Sequence, residues 1–313
     1  MLLSIRNTII HFGILQYMNI AITGGAGFVG SKLSESLARD GHAVLILDLH
    51  PPKQSVQGAS FVKVDLMKEE VPERVLECDA IVHLAGVNIF GRWTKDYKEL
   101  IVESRVKTAE ALYEKCKEGD TRPSIFISAS AIGYYGAQGE TELTESLPPG
   151  GDFLATVCIA WERAREQFND LGMRTVSVRT GIVLGPGGGM LKKLVPVFKW
   201  FLGGKLGNGE QWFSWIHIDD LIEVYKKALI DDSLEGPINA VSPEPVRNKV
   251  FTKALGKALK RPTLFFVPGF ALKLVMGELG SVILGSQKVT PKKLKEAQFA
   301  YKYPSIDKAL STL

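Results

Sequence analysis

The pattern of apolar and polar positions near the start of the chain predicts a strand, a turn, a helix and a second strand. Met18–Thr23 is a short apolar run that ends in a cluster of glycines. Apolar and polar side chains then alternate at helical spacing up to Gly41, and Ala43–Leu47 is a second apolar run. A unit of this kind, roughly thirty residues long, is typical of two parallel strands joined by a crossover helix.

The same alternation continues through the first half of the chain. It predicts four more strands, at Ser60–Val64, Ala80–Leu84, Ser124–Ser128 and Arg174–Val178. The helices between them are a weak one at Pro72–Leu76 and two long ones at Trp93–Lys117 and Phe153–Leu171. Apolar strands that are each followed by a helix are typical of a parallel sheet covered on both faces. We therefore predict an α/β fold, a Rossmann-type doubly wound parallel sheet, over residues 18–183.

The regular alternation fades after Val183. Two glycine-rich stretches follow, at Gly185–Gly189 and Gly203–Gly209, and aromatic residues cluster near residue 212. Helices are predicted at Phe251–Leu259, Phe270–Leu284 and Pro291–Ala297. We expect residues 184–313 to form a smaller substrate lobe beside the carboxyl edge of the sheet.

Composition excludes several classes of protein. The 313 residues are 45% hydrophobic and 23% charged, as in an ordinary globular protein. A net charge of +4 with dispersed basic residues does not favour a nucleic-acid partner. Cys78, Cys116 and Cys158 are odd in number and lack metal-ligand spacing, so we expect neither disulfides nor a metal site.

Residues 1–17 precede the first predicted strand. They are apolar, but Arg6 and His11 interrupt them, and they are too short to span a bilayer. No small-residue cleavage site precedes Met18. We interpret them as an N-terminal extension or a misassigned start, with a targeting segment as the alternative, and expect a cytoplasmic protein without a membrane partner.

The glycine cluster has the spacing of a dinucleotide-binding loop. Gly24, Gly27 and Gly30 form a G-x-x-G-x-x-G pattern between the first strand and the first helix. Such glycines permit a tight turn, a close approach of the backbone to a pyrophosphate, and helix–strand packing. The phosphates would lie at the start of the helix, at Phe28 and Val29, where free amides and the helix dipole favour negative charge. This context predicts bound NAD or NADP; the alternative is a flexible surface turn.

Asp48 ends the second predicted strand. A carboxylate there can accept hydrogen bonds from the adenosine ribose and would repel a 2′-phosphate, which favours NAD over NADP. The alternative is an ordinary turn aspartate before Pro51, and His50 and Lys53 would weaken the repulsion.

From Met18 to its end, the chain resembles the extended short-chain dehydrogenase/reductases, the NAD-dependent epimerase/dehydratase family. TGGAGFVG (23–30) is similar to that family's cofactor loop, VDL (64–66) to its adenine-contacting strand end, and HLAG (83–86) to the strand that lines the nicotinamide ribose. The runs RWT (92–94), SR (104–105), ISASAIGYYG (127–136), RTGIVLGPGGG (179–189), QWFSWIHIDDL (211–221) and PEPVRNK (243–249) resemble an epimerase-like subfamily with its own C-terminal domain, expected here at about 247–313. The resemblance implies further cofactor contacts from Asp65, Leu66, Leu84, Ala85, Gly86 and Ser104.

The same resemblance implies a catalytic serine after the fifth strand and a helix with Tyr-x-x-x-Lys. Ser130 matches the serine. The helix departs from the pattern, because alignment on Glu162 places Leu154 at the tyrosine and Cys158 at the lysine. Leucine cannot transfer a proton, and a thiol with a pKa near ~8.5 gives a phenol little positive help. The usual proton-transfer dyad is therefore absent from its usual place.

Substitutes for that dyad can be named. Tyr134 and Tyr135 follow Ser130 closely, although aromatic side chains there commonly pack a substrate pocket, and Cys158 has no evident histidine partner. Arg179, which ends the sixth strand, would pair with an anionic substrate group or tie the lobes together. The resemblance further implies substrate contacts from Trp212, Ser214 and Trp215, a structural role for His217, and Asp219 or Asp220 as a helix cap.

Two functions from different classes remain open. The first is an NAD(P)-dependent oxidoreductase or epimerase that acts on a small polar metabolite, with Ser130 and Tyr134 orienting the substrate oxygen. The second is a dinucleotide-binding sensor or regulator without chemistry, which the missing tyrosine and lysine favour. We expect a monomer or a homodimer.

Overall fold

A seven-stranded sheet forms the centre of the computed structural model, which describes residues 17–313. The predicted extension at residues 1–17 lies outside the described residues except for Tyr17. The strands of the sheet are β1 (Asn19–Thr23), β2 (Ala43–Asp48), β3 (Ala59–Lys63), β4 (Ala80–His83), β5 (Ile125–Ala131), β7 (Arg174–Thr180) and β12 (Gly236–Ala240).

The strands are all parallel, in the order β12-β7-β5-β4-β1-β2-β3. The chain runs outward from β1 through β2 and β3 on one side, and from β4 to β12 on the other. The direction of winding thus reverses between β1 and β4. In open parallel sheets, ligands bind in the crevice at the carboxyl ends of the strands at such a switch point. The predicted doubly wound sheet is confirmed.

Within residues 17–313, ten α-helices surround or extend this sheet. They are α1 (Phe28–Arg39), α2 (Lys95–Glu118), α3 (Phe153–Glu166), α4 (Gly189–Lys199), α5 (Ile218–Ile230), α6 (Asn248–Leu259), α7 (Gly269–Met276), α8 (Glu278–Ile283), α9 (Lys292–Glu296) and α10 (Ile306–Leu310). Helices α1 and α5 pack together over one face, and α2 and α3 over the other. Alternate β1 residues serve the two cores: Ile20 and Ile22 face α1 and α5, whereas Ala21 faces the opposite side.

The seventh strand is a correction to the prediction of six. β12 comes from the second half of the chain and pairs with β7, from Gly236 beside Val176 to Ala240 beside Thr180. Its sequence, GPINA, has low strand propensity, and Pro237 has no N–H to donate. The strand lies at the edge of the sheet, where a proline is tolerated, so tertiary pairing rather than local preference specifies it.

Short paired strands, most of them in the second half of the chain, build a smaller region. These are β6 (Glu142–Leu143), β8 (Ile182–Leu184), β9 (Gly204–Leu206), β10 (Trp212–Phe213), β11 (Trp215–His217), β13 (Val246–Arg247), β14 (Phe265–Val267) and β15 (Lys288–Val289). They pair as β6 with β15, β8 with β11, β9 with β14 and β10 with β13. A separate apolar core, which includes Phe198, Phe213 and Phe251, lies between α4, α6 and α10. The division of the chain at residue 183 stays a prediction.

Two helices of this region differ from expectation. The helix expected at Phe270–Leu284 is divided into α7 and α8 at Gly277, whose φ of 59° ends a right-handed helix. Helix α4 is not among the predicted helices; it begins in the first glycine-rich stretch, at Gly189, and it buries Leu191 and Phe198. Within residues 17–313, no helix combines the length and apolar character needed to cross a bilayer.

Candidate functional site

The three predicted glycines form a cradle that other residues would fill. Gly24 has a φ of 66°, and a Cβ there would lie 2.9 Å from the backbone of Leu84 and Ala85. A Cβ on Gly30 would lie 2.2 Å from the Gly24 carbonyl oxygen, which itself accepts a hydrogen bond from the Gly27 amide at 3.0 Å. The loop therefore keeps its shape only without these side chains.

Helix α1 opens from this cradle without a cap. Its N-cap residue is Gly27, no side chain accepts from its first amides, and its first turn carries no acidic residue. The amides of Phe28, Val29 and Gly30 have no acceptor within the helix. Free amides and the positive end of the helix dipole make this end of α1 suitable for an anion such as a pyrophosphate.

Asp48 fastens the glycine loop to the end of β2. Its Oδ2 accepts from the Ala26 amide at 3.0 Å and its Oδ1 accepts from the His50 amide at 3.3 Å. The side chain is partly exposed. The carboxylate therefore has a structural role. It lies at the glycine loop whether or not it also contacts a ribose. The predicted contact with ribose stays a prediction.

The loop after β4 lies against the cradle. The Leu84 amide donates to the Thr23 carbonyl at 3.0 Å, and the Ala85 amide donates to Thr23 Oγ1 at 3.3 Å. Thr23 Oγ1 also shares a hydrogen bond of 2.8 Å with Nδ1 of the buried His83. Burial lowers the pKa of His83 to about 4, so its ring is neutral at physiological pH. Residues 84–86 are thus fixed beside residues 24–30.

The other predicted cofactor contacts lie along the same edge of the sheet. Ser104, on α2, accepts from the Val87 amide at 3.0 Å and donates to the Ile101 carbonyl. Asp65 and the buried Leu66 follow β3, and Asp65 accepts from the Met67 amide at 3.1 Å. Their cofactor contacts stay predictions, although the structure brings all of them to the carboxyl edge of the sheet.

A large groove begins at this cradle. Its volume is about 1760 Å³, and its lining includes Gly27, Phe28, Ser31, Asn88, Gly188 and Lys193. It follows the start of α1, the connection between β2 and β3, and the start of α4. Phe28 lies directly against Gly188, where a Cβ would be 2.0 Å from the ring. The groove does not reach Ser130.

Ser130 is buried and already hydrogen-bonded. The sequence predicted it to lie just past a strand, but β5 extends to Ala131 because Ser130 and Ala131 pair with Arg179 and Thr180 of β7. The serine is 3% exposed, and its hydroxyl donates to Oε1 of Glu162 at 2.7 Å. Its predicted catalytic contact stays a prediction, and its hydrogen bond is made within the protein.

Arg179 and Glu162 form the centre of a buried network. Nε and Nη2 of Arg179 donate to the two Glu162 oxygens, each at 2.8 Å. Nη1 donates to Tyr135 Oη at 2.9 Å, and that hydroxyl donates to Asn239 Oδ1 at 2.7 Å. Burial raises the pKa of Tyr135 to about 12. Of the two roles expected for Arg179, this geometry favours the structural tie, here from β7 to α3 and β12.

The role of Glu162 as the partner of Arg179 is not predicted by the sequence, in which this glutamate only marks the end of an aligned motif. The available signal was a glutamate four residues after Cys158 on an otherwise apolar helix face, together with an arginine at the end of a buried strand. Charged residues are almost never fully buried unless they are paired.

Tyr134 differs from its buried neighbour. It is partly exposed, and its hydroxyl has no hydrogen-bond partner within residues 17–313. Its ring lies 3.5 Å from Cζ of Arg179, a cation–π contact. Tyr134 is therefore the tyrosine next to Ser130 that has a free phenol.

Leu154 and Cys158 face the end of β5, at the places aligned with the family's tyrosine and lysine. A Cβ on Gly133 would lie 3.1 Å from Leu154 Cβ and 3.8 Å from Cys158 Sγ. The thiol donates to the Ala131 carbonyl at 3.6 Å, and burial raises its pKa to about 12. A thiol with so high a pKa is protonated at neutral pH, which disfavours Cys158 as a nucleophile.

The predicted substrate residues of the second half differ in how far they are exposed. Ser214 is buried and donates to the Gln287 carbonyl at 2.7 Å, and Trp215 is buried and donates to the Glu244 carbonyl at 3.2 Å. Trp212 is partly exposed, with its ring 3.9 Å from Cζ of Arg247. Substrate contacts from all three stay predictions, and only Trp212 has an accessible face.

His217 has the structural role that was expected, and it also corrects the predicted helix cap. Its Nδ1 accepts from the Asp219 amide at 3.2 Å, so His217 caps α5. Asp220 instead accepts from the amides of Lys302 and Tyr303, at 2.7 and 3.0 Å, and joins α5 to the C-terminal segment. Asp219 lies in the first turn of the helix, where a negative charge favours the dipole.

Known protein families match the sequence over most of the chain. The profile described as "NAD dependent epimerase/dehydratase family" matches residues 20–240. The chain belongs to this family. A second profile, a domain of unknown function (DUF1731), matches residues 267–313. The family recognised from its motifs is thus confirmed.

Members of the family from distant organisms are similar over nearly their full length. The "Epimerase family protein SDR39U1 homolog, chloroplastic" of Arabidopsis thaliana is 38% identical over 301 residues, 95% of this chain and 86% of that protein. An "epimerase family protein" of Staphylococcus aureus is 36% identical over 303 residues, 95% of this chain and 98% of that protein. The crystal structure of human SDR39U1 with NADPH has a TM-score of 0.83 at 29% identity, covering 94% of this chain and 98% of that one.

Proposed function

We propose that this protein binds a nicotinamide dinucleotide at its glycine loop and uses it as an oxidoreductase or epimerase on a small polar metabolite. The observation that carries the proposal is the uncapped start of α1 above the Gly24–Gly30 cradle. A Cβ at Gly30 would close that cradle, and the free amides suit a pyrophosphate, so the residues present fit the cofactor.

The bound dinucleotide would supply hydride transfer. The chain would hold its phosphates at the amides of Phe28 and Val29, and one nucleoside half at the loop after β4. The charge of Asp48 favours NAD over NADP. The human relative, in contrast, was crystallised with NADPH, so the relative affinity for the two dinucleotides is the finer test.

Tyr134 is the residue that we propose for proton transfer. Its phenol is free, it follows β5, and its ring rests on the Arg179 guanidinium. Tyr135 is a poorer candidate because it is fully buried between Arg179 and Asn239. In this proposal Ser130 positions Glu162, and through it the tyrosine-bearing segment, rather than the substrate oxygen.

A second candidate function is a dinucleotide sensor without chemistry. Two observations favour it: Leu154 and Cys158 stand where the family has its proton-transfer pair, and the Ser130 hydroxyl is donated to Glu162. Such a protein would change conformation or partner with the redox state of the dinucleotide.

The experiment measures binding and turnover separately. NADH and NADPH affinities are measured by calorimetry. A panel of carbonyl compounds and sugar nucleotides is then screened in two ways: absorbance at the nicotinamide band reports net oxidation or reduction, and chromatography of the products reports epimerisation, which returns the hydride and leaves that absorbance unchanged. Tyr134→Phe is compared with Tyr113→Phe, a tyrosine that packs edge-on against Phe168 away from the cradle.

The outcomes separate the two functions. Turnover that Tyr134→Phe abolishes and Tyr113→Phe retains supports the enzyme. Tight binding with no turnover in the whole panel supports the sensor, and absence of binding contradicts both. The cytoplasmic location and the monomeric or homodimeric state stay predictions.

A further inference from the structure

One buried cation near the proposed cofactor site has no carboxylate partner. Arg105, on α2, is 8% exposed. The ionisable side chains near enough to act on it are the Cys158 thiol and the Tyr97 phenol, and no carboxylate of residues 17–313 pairs with it. The other buried arginine of this edge, Arg179, has Glu162. Arg105 is therefore the exception.

The guanidinium is held by neutral groups and keeps two hydrogens without acceptors. Nη1 donates to the Ile101 carbonyl at 2.8 Å and, at 3.4 Å, to Ser104 Oγ, and Nη2 donates to the Val87 carbonyl at 3.0 Å. A guanidinium has five N–H groups. The Nε hydrogen and one Nη2 hydrogen have no acceptor among the described residues.

The surroundings of Arg105 make it more than a tie between segments. Cζ lies 4.8 Å from the centre of the Trp161 ring, and the Nε1 hydrogen of that indole is buried without an acceptor. A buried charge without a countercharge is costly, and so is the enclosed indole hydrogen of Trp161 without an acceptor. Such an arrangement points to a ligand that supplies acceptor oxygens.

The position of this cation fits the far half of a dinucleotide. A Cβ on Gly86 would lie 3.1 Å from Arg105 Cζ, so the guanidinium lies directly beneath the loop after β4. Strand β4 adjoins β1, which ends in the glycine cradle. A dinucleotide held by its pyrophosphate at that cradle extends one nucleoside over β2 and the other over β4 and β5.

We propose that Arg105 provides, from α2, the positive charge that holds the nicotinamide-ribose half of the dinucleotide, at a site where α3 offers only Cys158. The inference rests on the proposed dinucleotide binding. Arg105 and Cys158 lie close enough to act on each other electrostatically. A lysine at position 158 would therefore be repelled by the positive charge of Arg105. The two positions are then alternatives for one cation, which makes the idea testable by moving the charge.

The experiment compares whole dinucleotides with fragments that lack the nicotinamide riboside. Calorimetric Kd values are measured separately for each ligand. The Kd of NADH is compared with that of ADP, and the Kd of NADPH with that of 2′,5′-ADP. The proteins are wild type, Arg105→Met, Arg105→Gln, Cys158→Lys and the double variant Arg105→Met with Cys158→Lys. Lys107→Met, also on α2 but paired with Glu103, is the matched control.

We expect Arg105→Met to weaken NADH and NADPH binding by about tenfold to a hundredfold, the effect of one charged hydrogen bond, while fragment binding is unchanged. Cys158→Lys in that background should recover most of the loss, whereas Cys158→Lys alone should weaken dinucleotide binding through like-charge repulsion. Lys107→Met should change neither Kd.

Three results would overturn the inference. Dinucleotide binding unchanged in Arg105→Met does so, and so does an equal loss for the fragments, which indicates a structural role. A folded double variant without recovery also contradicts it. Should Arg105→Met fail to fold, Arg105→Gln, which removes the charge but keeps a donor for the Val87 carbonyl, provides the same comparison of dinucleotide with fragment. Wild-type protein that binds neither dinucleotide contradicts the proposed function itself.

Discussion

Ser130 Oγ donates to Oε1 of Glu162 at 2.7 Å, and the same oxygen accepts from Arg179 Nε at 2.8 Å. The serine that the motif marks as catalytic thus completes the hydrogen bonding of a buried ion pair. Because the pair joins β7 to α3, the hydroxyl stabilises the wall of the site beneath Tyr134.

Removal of the Glu162 charge should destabilise the fold strongly. In Glu162→Gln the buried Arg179 guanidinium loses its countercharge, and breaking one partner of a buried pair costs about 3–5 kcal/mol. Urea unfolding monitored by circular dichroism measures the loss. Glu110→Gln on α2, where the glutamate is exposed, should change stability by less than about 0.5 kcal/mol.

Ser130→Ala tests the same network more gently. The loss of a hydrogen bond to a charged group should lower the free energy of unfolding by about 1.5–3 kcal/mol while dinucleotide Kd values stay at their wild-type level. A large fall in dinucleotide affinity with unchanged stability would show instead that the hydroxyl faces the ligand.

Alanine substitutions in the glycine cradle should impair NADH binding and stability to different degrees. Gly30→Ala places a Cβ 2.2 Å from the Gly24 carbonyl oxygen, so the loop must move and both stability and NADH binding should fall. Gly27→Ala brings its Cβ only to 3.1 Å of that oxygen and should weaken binding with a smaller change in Tm. Gly151→Ala has no neighbour within 4 Å and is the control.

The carboxylate of Asp48 should set the preference between dinucleotides. Asp48→Asn retains an acceptor for the Ala26 amide but removes the charge, so NADPH affinity should rise relative to NADH by about tenfold at low salt. Asp79→Asn is matched, because Asp79 also accepts a backbone amide, that of Asn19, at the opposite end of β1. A ratio that both variants leave unchanged would contradict the preference.

The sequence predicts the sheet well because its strands are local, apolar and separated by helices. It predicts the cradle because glycine is needed at positions 24, 27 and 30 for steric reasons that a spacing pattern records. β12 escapes prediction because pairing with β7, more than 50 residues away in sequence, overrides the weak propensity of GPINA. Contacts of this range leave no local signal.

The chemistry of the site is harder to predict for the same reason. Ser130, Glu162 and Arg179 come from three elements, and no spacing shows that the serine donates to the glutamate. Arg105 lies next to the predicted Ser104, yet only the packing of α2 against Gly86 and Trp161 shows that its charge is buried.

The cysteines should resist alkylation in the folded protein. Cys78, Cys116 and Cys158 are all buried, and burial raises their pKa values to about 11, 11 and 12. Because the thiolate is the reacting species, iodoacetamide at pH 8 should label none within minutes, and all three in urea. Rapid labelling of Cys158 in the native protein, located by mass spectrometry, would restore it as a candidate nucleophile.

His83 should make the fold less stable in mild acid. Burial between β1 and α2 lowers its pKa from 6.5 to about 4, so the unfolded chain takes up a proton at a pH where the folded protein does not. Stability is therefore complete above pH 6.5 and declines as the pH falls toward 4, by about 3 kcal/mol in all. His42 and His217, whose pKa values burial also lowers, act in the same direction.

His83→Asn should remove one proton from the dependence, so that the slope of unfolding free energy between pH 4.5 and 6 becomes shallower by up to about 1.4 kcal/mol per pH unit. The variant with the exposed His50 changed to Asn is the matched control. Equal slopes in wild type and His83→Asn would mean that His83 titrates normally in the folded protein, and that the hydrogen bond with Thr23 does not require a neutral ring.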